Sequence, residues 1–447
     1  MRLWFCIWMF GIWYLNFSGL PECNSNRNFR DFLQQFKQGY GVLNVPDFEY
    51  DYRNYFLAIP DTFSLNRQSS FMHEQENLLK LFDRTTLSVQ ERLCYDQIVY
   101  ELDVNLKRIK LERQWVLAGR LMPEMGYFDS LNYAGWYEYF IQKFTGLNKM
   151  PVEVMQFGQK EVERINKQID SIQHALQFKT RNGLYKAFKH DSFFYQDQKE
   201  LLMKFSQTDE IIRSNLKAFC EIDKLPRVFP VQWPNADIRT PPGMYLSHAS
   251  TAYRKDVFYY NFYGSRFRKR FAEWLYLHEA IPGHHLQASM RNTISLNGTQ
   301  QQFLYPGTFE GWACYAENEG NSLGVYKDSW NYLGLLEWNL IRAVRIVLDA
   351  GIHYYGWSKE KSRLYWEAHC VGLDEFADRE IERVIHWPSQ ALSYQMGAEA
   401  IRLLFNDYRL TGDRQFKIAG LRKAFLRCGM LPIPVIQKIL RELNEAG

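Results

Sequence analysis

Hydrophobic positions recur at helical spacing over much of the chain. Ile98, Leu102, Leu106 and Ile109 follow one another at steps of four and three residues. The same spacing returns in a later run, formed by Val162, Ile165, Ile169, Ile172 and Leu176. Steps of this size place apolar side chains on one face of a helix, which can then pack on its neighbours. The pattern predicts packed helices from about residue 28 to 220, and again from about residue 329.

Five prolines interrupt this pattern between residues 226 and 242, namely Pro226, Pro230, Pro234, Pro241 and Pro242. Proline lacks a backbone N–H and breaks helices, so this stretch predicts a crossing between lobes or the edge of a cleft. Two strand-like runs follow at residues 244–246 and 257–261 and predict a small β-hairpin beside the next helix. An exposed strand there could also hold an extended peptide, with Tyr260 and Asn261 as the predicted substrate contacts.

The most informative stretch is Leu277 to Gln287, which reads LHEAIPGHHLQ. A histidine followed by a glutamate, with a second histidine one helical turn later, is typical of zinc proteases, in which the glutamate acts as general base. Here the second histidine is displaced. His284 stands six positions after His278, which is about 240° round a regular helix and therefore on a different face.

Two residues offer a way to bring the imidazoles together. Pro282 removes a helical hydrogen bond and Gly283 adds backbone freedom, so a two-residue bulge would return His284 to the face of His278. His285 is the alternative ligand, because it is in phase with His278 but about 10 Å further along the axis. The next acidic residue is Glu310. Two histidines and this glutamate, with water in the fourth position, would form an open catalytic Zn²⁺ site.

Composition narrows the function classes. A chain of 447 residues is longer than one core usually supports, so two lobes around a cleft are expected. The formal charge of +4, without a basic run, does not favour nucleic-acid binding. The seven cysteines include no C-x-x-C pair, which favours neither a disulfide framework nor a cysteine-ligated zinc. Cys314 is expected to be a small buried apolar side chain.

The first 19 residues resemble a signal peptide. Arg2 precedes an apolar run from Leu3 to Leu15 and small residues follow, while the run is too short for a comfortable membrane span. The interpretation is an exported protein, periplasmic or secreted, without stable membrane association once the signal is removed. An uncleaved anchor or a buried first helix is the alternative. Residues 20–447 would then form one domain, with an N-terminal lobe at 28–225 and a metal-site lobe at 226–447.

Several blocks together resemble the bacterial family catalogued as domain of unknown function 885. They occur in family order at residues 87–96, 151–163, 277–287, 310–317, 349–357, 387–397 and 429–434, and include HEAIPGHH and EGWACYAE. The resemblance implies a mainly α zinc-peptidase-like fold, similar to the carboxypeptidase Taq and oligopeptidase groups, with two helical lobes around a deep cleft. It implies ligands at His278, His284 and Glu310, the base at Glu279, and Tyr394 near the reacting carbonyl. Gln395 stands where the family has lysine, and residues 110–145 are abbreviated.

These observations lead to the hypothesis of a zinc metallopeptidase that acts on peptides. Glu317, Asp349 or both are predicted to orient the histidine ligands, and Asp349 could instead pair with His353. Three alternatives remain open at this stage. A zinc hydrolase of non-peptide amides would keep the same ligands. A non-catalytic peptide-binding protein would not need Glu279 as a base, and in a purely structural protein the metal would only hold the fold together.

Overall fold

The computed structural model describes residues 27–445 except 48–50, 129, 131, 238–239, 248–254, 263, 265, 293–301 and 411–416. The predicted signal peptide at residues 1–19 lies outside the described residues. Within them, no helix combines the length and the apolar character that crossing a membrane requires.

Helices dominate the chain, which confirms the predicted mainly α class. The N-terminal half contains α1 (Arg27–Gly41), α2 (Tyr52–Ala58), α3 (Thr62–Leu79), α4 (Val89–Leu117), α5 (Tyr133–Thr145), α6 (Pro151–Ala175), α7 (Arg181–Ala187) and α8 (Gln198–Cys220). The C-terminal half contains α9 (Ala272–Glu279), α10 (His284–Asn292), α11 (Pro306–Asn318), α12 (Ser329–His353), α13 (Lys359–His369), α14 (Ala377–His386), α15 (Leu392–Leu410), α16 (Ile418–Arg427) and α17 (Ile433–Glu445).

The helical periodicity of the sequence corresponds to buried faces. Ile98, Leu102 and Ile109 are buried on α4, and the run from Val162 to Ile172 is buried on α6. Local signals set the helix ends. Ser88 and Glu91 form a reciprocal capping box that satisfies two N–H groups at the start of α4.

Among the described residues, five short strands form two small sheets. Strands β1 (Phe194–Tyr195) and β5 (Phe267–Arg268) pair with each other. Strands β2 (Phe229–Gln232), β4 (Val257–Tyr260) and β3 (Gly243–Leu246) form a sheet in that order, in which β3 and β4 are antiparallel. The predicted hairpin pairing is therefore confirmed, and the proline-rich segment adds β2 parallel to β4. Strand β3 packs on α9, the helix that carries His278.

A continuous apolar core joins the two halves of the chain. Its buried side chains extend from Phe29 to Leu440. The most extensive helix–helix packing is that of α6 on α12 and of α11 on α15. Because α6 lies in the predicted N-terminal lobe and α12 in the C-terminal one, the core is shared between them. The exact division into lobes at residue 225 stays a prediction.

Candidate metal centre

His278 and His284 come together because the helix that carries His278 ends. Helix α9 stops at Glu279 and α10 begins at His284, with a turn that contains a cis Ile281–Pro282 peptide bond between them. The centres of the two imidazole rings lie 4.6 Å apart. The predicted two-residue bulge in a continuous helix is therefore wrong. The physical reason is that a new helix can start in a new direction, whereas a bulge only rotates the old one.

Gly283 permits this turn by its lack of a side chain. A Cβ atom at this position would lie 1.9 Å from the His278 carbonyl oxygen and 2.4 Å from that of Leu277. The other side of the turn is held by Trp312 of α11, whose indole Nε1 donates a hydrogen bond of 2.8 Å to the Pro282 carbonyl. The turn is thus packed against the end of α9 with no space for a larger residue.

We expect Gly283→Ala to lower the free energy of unfolding by about 1–3 kcal/mol, because the obstacle is backbone that cannot rotate away. The matched control is Gly41→Ala, where a Cβ would meet nothing within 4 Å at the end of α1, so its stability should be unchanged or slightly higher. Urea denaturation of both variants gives the comparison. Equal stability of the two would contradict the tight packing of the turn.

Helix α11, which carries Glu310, packs on α9 and α10, the helices of the two histidines, and crosses α15 in close contact. A Cβ on Gly311 would lie 2.6 Å from the Gly397 carbonyl carbon, and one on Gly397 would lie 2.2 Å from the Gly307 carbonyl oxygen. Two glycine-containing faces allow the backbones to approach each other. This crossing brings the helix of Glu310 against α15, the helix that carries Tyr394 in its first turn.

The carboxylate of Glu310 lies between the imidazoles. Its Oε2 is 3.6 Å from His278 Nε2 and 3.5 Å from His284 Nε2, which is longer than ordinary N–H···O hydrogen bonds. This buried oxygen has no hydrogen-bond partner among the described residues. Burial raises the pKa of Glu310, but the two histidines overcome this effect and hold it well below its ordinary value.

Two of the distances among these donor atoms match those of a tetrahedral zinc site. Bonds of about 2.0–2.2 Å to a tetrahedral ion place neighbouring ligand atoms about 3.3–3.6 Å apart, as found from Glu310 to each histidine. Glu279 also offers an atom within 4.8 Å of ligand atoms on His278 and His284. Both Glu310 and Glu279 thus lie close enough to His278 and His284 to serve as the third ligand, and proximity does not choose between them. Their roles stay predictions that zinc measurements can test.

The other nitrogen of His278 faces Glu317. His278 Nδ1 lies 2.5 Å from Glu317 Oε1, and Arg342 donates to both oxygens of the same carboxylate at 2.6 and 2.9 Å. This arrangement orients the ring so that Nε2 faces Glu310. Cys314, His278 and Glu317 form a second set of close donors, but a cation there would meet the guanidinium of Arg342. The buried Cys314 side chain agrees with its predicted character.

His284 and His285 have different surroundings. The His284 ring stacks on Phe309 with a centroid separation of 3.9 Å, and its Nδ1 has no partner in the described part of the chain. His285 instead contacts the Pro226 carbonyl at 2.8 Å and the Tyr245 hydroxyl at 3.4 Å. The alternative ligand therefore faces the proline-rich segment, while His284 faces Glu310.

Glu279 is enclosed by α9 and the edge strand β3. Burial raises its pKa above the ordinary value, and Glu310 acts in the same direction, while His278, His284 and a hydrogen bond from the Tyr245 backbone lower it. A carboxylate that is buried beside imidazoles, held at one oxygen by a main-chain donor, has the environment of a general base.

Tyr394 lies in a cluster of arginines beside the histidines. Its hydroxyl accepts hydrogen bonds from Arg383 Nη2 at 3.0 Å and from Gln390 Nε2 at 3.2 Å. The guanidinium groups of Arg342, Arg345 and Arg383 all lie within 5.8 Å of the ring centre. Since a phenol has one proton and can accept two hydrogen bonds, the two donors leave the Tyr394 proton free to be donated.

The remaining predicted residues lie further from the histidines or make structural contacts. Tyr260 is buried against Phe205, and the Asn261 amide donates to the Asp237 and Thr240 carbonyls. Their predicted role in substrate binding remains untested.

Asp349 and His353 contact neither each other nor the histidine ligands in the described structure. Asp349 accepts from the Tyr137 hydroxyl and the Ser389 N–H, both at 2.8 Å. His353 contacts the Val384 carbonyl at 2.9 Å. Of the two carboxylates predicted to orient the histidines, Glu317 does so for His278 and Asp349 does not, because Asp349 holds the turn before α15 instead.

Three neighbours of the site were not predicted from the sequence: Phe309, Arg342 and Arg383. Phe309 directly precedes Glu310, so its place beside the site could have been predicted from the sequence. Arg342 lies on α12 and Arg383 on α14. Neither belongs to a recognisable local motif, because only the packing of separate helices brings them to Tyr394.

Two solved structures are similar to this protein in fold. A structure from Colwellia psychrerythraea, described as a "putative lipoprotein", has a TM-score of 0.67 at 20% identity, and the match covers 95% of this chain and 77% of that one. A "putative lipoprotein of unknown function" from Shewanella oneidensis has a TM-score of 0.67 at 16% identity, with coverage of 93% and 98%. No curated protein matches the chain.

The family comparison covers the candidate metal centre. The model of a family described as "Bacterial protein of unknown function (DUF885)" matches residues 134–440. This range includes all residues from His278 to Tyr394 described above and most of the helical core. The protein therefore belongs to the DUF885 family of bacterial proteins.

Proposed function

We propose that this protein is a zinc-dependent peptidase. The observation that carries the proposal is the buried Glu310 oxygen that lies 3.6 and 3.5 Å from two imidazole nitrogens without a hydrogen-bond partner in the described structure. A zinc ion at this position would polarise the scissile carbonyl and make a water molecule more acidic. The donor set of two histidines and one glutamate is typical of open, catalytic zinc sites.

The other residues supply proton transfer and charge stabilisation. Glu279 accepts the proton of the attacking water and later passes it to the leaving amine. The Tyr394 hydroxyl donates a hydrogen bond to the substrate oxygen as negative charge develops there and keeps its proton. Glu317 and Arg342 keep the His278 ring in place throughout. A protein that only binds peptides would not need a buried base beside this donor set.

Export is a second part of the proposal. Arg2 and the apolar run to Leu15 have the pattern of a signal peptide, and the two similar structures reported above are described as putative lipoproteins. We infer an exported protein that works in the periplasm or outside the cell. Fractionation of the native host, followed by N-terminal sequencing, tests this location. Full-length chains starting at Met1 in the cytoplasmic fraction would contradict it.

Metal content tests the site directly. We expect the purified protein to hold one zinc, and Glu310→Ala or His284→Ala to lose it, because each removes one of three protein ligands. His285→Ala is the matched control and should keep its zinc, because the His285 ring faces the Pro226 carbonyl. Zinc is measured by elemental analysis after dialysis. Retention of zinc in Glu310→Ala, or its loss only in His285→Ala, would refute the ligand assignment.

Activity is tested with a randomised peptide library and mass spectrometry. The wild-type protein with zinc should cleave peptides, and removal of zinc by a chelator should stop cleavage. If zinc is bound in the expected site but no peptide is cut, the hypothesis of a non-peptide amide substrate or of a binding protein replaces the peptidase.

A further inference from the structure

We propose that Arg383 binds the C-terminal carboxylate of the substrate, so that the enzyme removes residues from the carboxyl end of peptides. This inference rests on the proposed peptidase function and specifies its substrate class. Its starting point is the guanidinium of Arg383, which contacts Tyr394 and makes no contact with a carboxylate in the described part of the chain.

The hydrogen bonds of Arg383 leave half of its fork unused. Nη2 donates to the Tyr394 hydroxyl at 3.0 Å and to Gln390 Oε1 at 2.9 Å. Within the described chain, Nε and Nη1 have no hydrogen-bond partner, and no carboxylate oxygen lies within 4.0 Å of the group. The side chain is partly exposed, so these two nitrogens remain accessible to a ligand.

The neighbouring arginines, unlike Arg383, donate hydrogen bonds to carboxylates. Arg342 is paired with both oxygens of Glu317. Arg345 and Arg379 both donate to Glu380, at 2.8 and 2.6 Å. Glu380 is thus shared by two arginines, and Arg379, Arg345 and Arg383 together lower the pKa of Glu380 against the effect of its burial. Three positive charges therefore face one carboxylate, and Arg383 is the arginine of the three that makes no contact with it within 4.0 Å in the described structure. This excess of positive charge in a partly enclosed position is costly without an anion. The planar fork of a guanidinium matches a carboxylate in geometry and charge.

The position of Arg383 relative to the histidines supports a role in choosing the bond that is cut. Its Nη2 contacts the hydroxyl of Tyr394, and Arg342 lies over the same tyrosine ring while its own Nη2 is 3.4 Å from His278 Nδ1. An anion bound at Arg383 is thus linked to His278 through Tyr394 and Arg342. A charge anchored at a set distance from the reacting carbonyl determines which bond is presented, and only a chain end supplies that charge in every peptide.

The first experiment compares two randomised hexapeptide libraries, one with free C-terminal carboxylates and one amidated. The zinc-loaded wild-type protein should shorten the first library from its C-terminus and leave the second intact. Cleavage of both libraries at similar rates, or release of N-terminal residues, would overturn the inference while the peptidase function stands. Cleavage of neither library would refute the proposed function, and the inference with it.

Variants then separate carboxylate binding from positioning of Tyr394. For the best free-acid peptide, Arg383→Gln should raise KM about 10–100-fold, because charge-assisted hydrogen bonds to the substrate carboxylate are lost. Its kcat should stay within a few-fold of the wild-type value. Arg383→Lys retains the charge without the fork and should raise KM less. Arg379→Gln, on the same helix, is the matched control and should not change KM. A fall in kcat at constant KM in Arg383→Gln would assign the residue to positioning and refute carboxylate binding. Zinc content should equal wild type in all three variants.

Discussion

Glu279→Gln should retain zinc and lose about 10²–10⁴-fold in kcat. Glutamine has the shape of glutamate and its amide oxygen can still accept the hydrogen bond from the Tyr245 backbone, so the turn after α9 should remain as it is. However, the amide cannot accept the proton of the attacking water, and the loss corresponds to the usual contribution of a general base. Steady-state kinetics on a cleaved peptide, with zinc analysis of the same sample, gives the measurement.

Glu310→Gln is the matched control for this prediction. The same chemical change at Glu310 removes a negatively charged ligand, so both zinc affinity and turnover should fall. The two variants therefore distinguish a base from a ligand, which the proximity of both carboxylates to the histidines does not do by itself. If Glu279→Gln loses zinc and Glu310→Gln keeps it, the two roles are exchanged. Activity of Glu279→Gln within a few-fold of wild type would exclude Glu279 as the base.

Tyr394→Phe should lower kcat about 10²–10³-fold at nearly constant KM, the typical loss for one donor to a developing oxyanion. The hydroxyl already accepts from Arg383 and Gln390, so its own proton is available for the substrate. A donor that acts mainly on the transition state changes kcat more than substrate binding. Because Arg383 and Gln390 lose their hydrogen-bond acceptor, the free energy of unfolding of the variant should also be about 1 kcal/mol lower.

Tyr315→Phe provides the matched control. Tyr315 is a buried tyrosine on α11 whose hydroxyl accepts from Arg422 Nε at 2.9 Å, so its removal should cost a similar stability. Its kcat should equal that of the wild type. Comparison of the two variants separates the loss of an arginine hydrogen bond from the loss of a donor to the substrate. Equal kcat values in both would show that Tyr394 has only a structural role.

The difference between the expected bulge and the observed turn illustrates the limit of local reasoning. Pro282 and Gly283 correctly indicated that a regular helix cannot continue through this stretch. The choice between a bulge and a full stop depends on contacts outside it, namely the indole of Trp312 and the carbonyls at the end of α9. A motif can therefore show that two histidines converge while leaving the backbone path open.

The sequence by itself determined the helical class, and it predicted the donor residues of the candidate site, whose role as zinc ligands stays a prediction. Helical periodicity and the spacing of His278, Glu279 and His284 act over a few turns of chain, where geometry follows from the backbone alone. Only the tertiary structure decided that Glu317 rather than Asp349 orients His278, that His285 faces away, and that Arg383 is left without a carboxylate. These outcomes depend on which faces of distant helices meet, since partners such as Glu317 and Arg342 are paired by packing and by the cost of burying an unpaired charge.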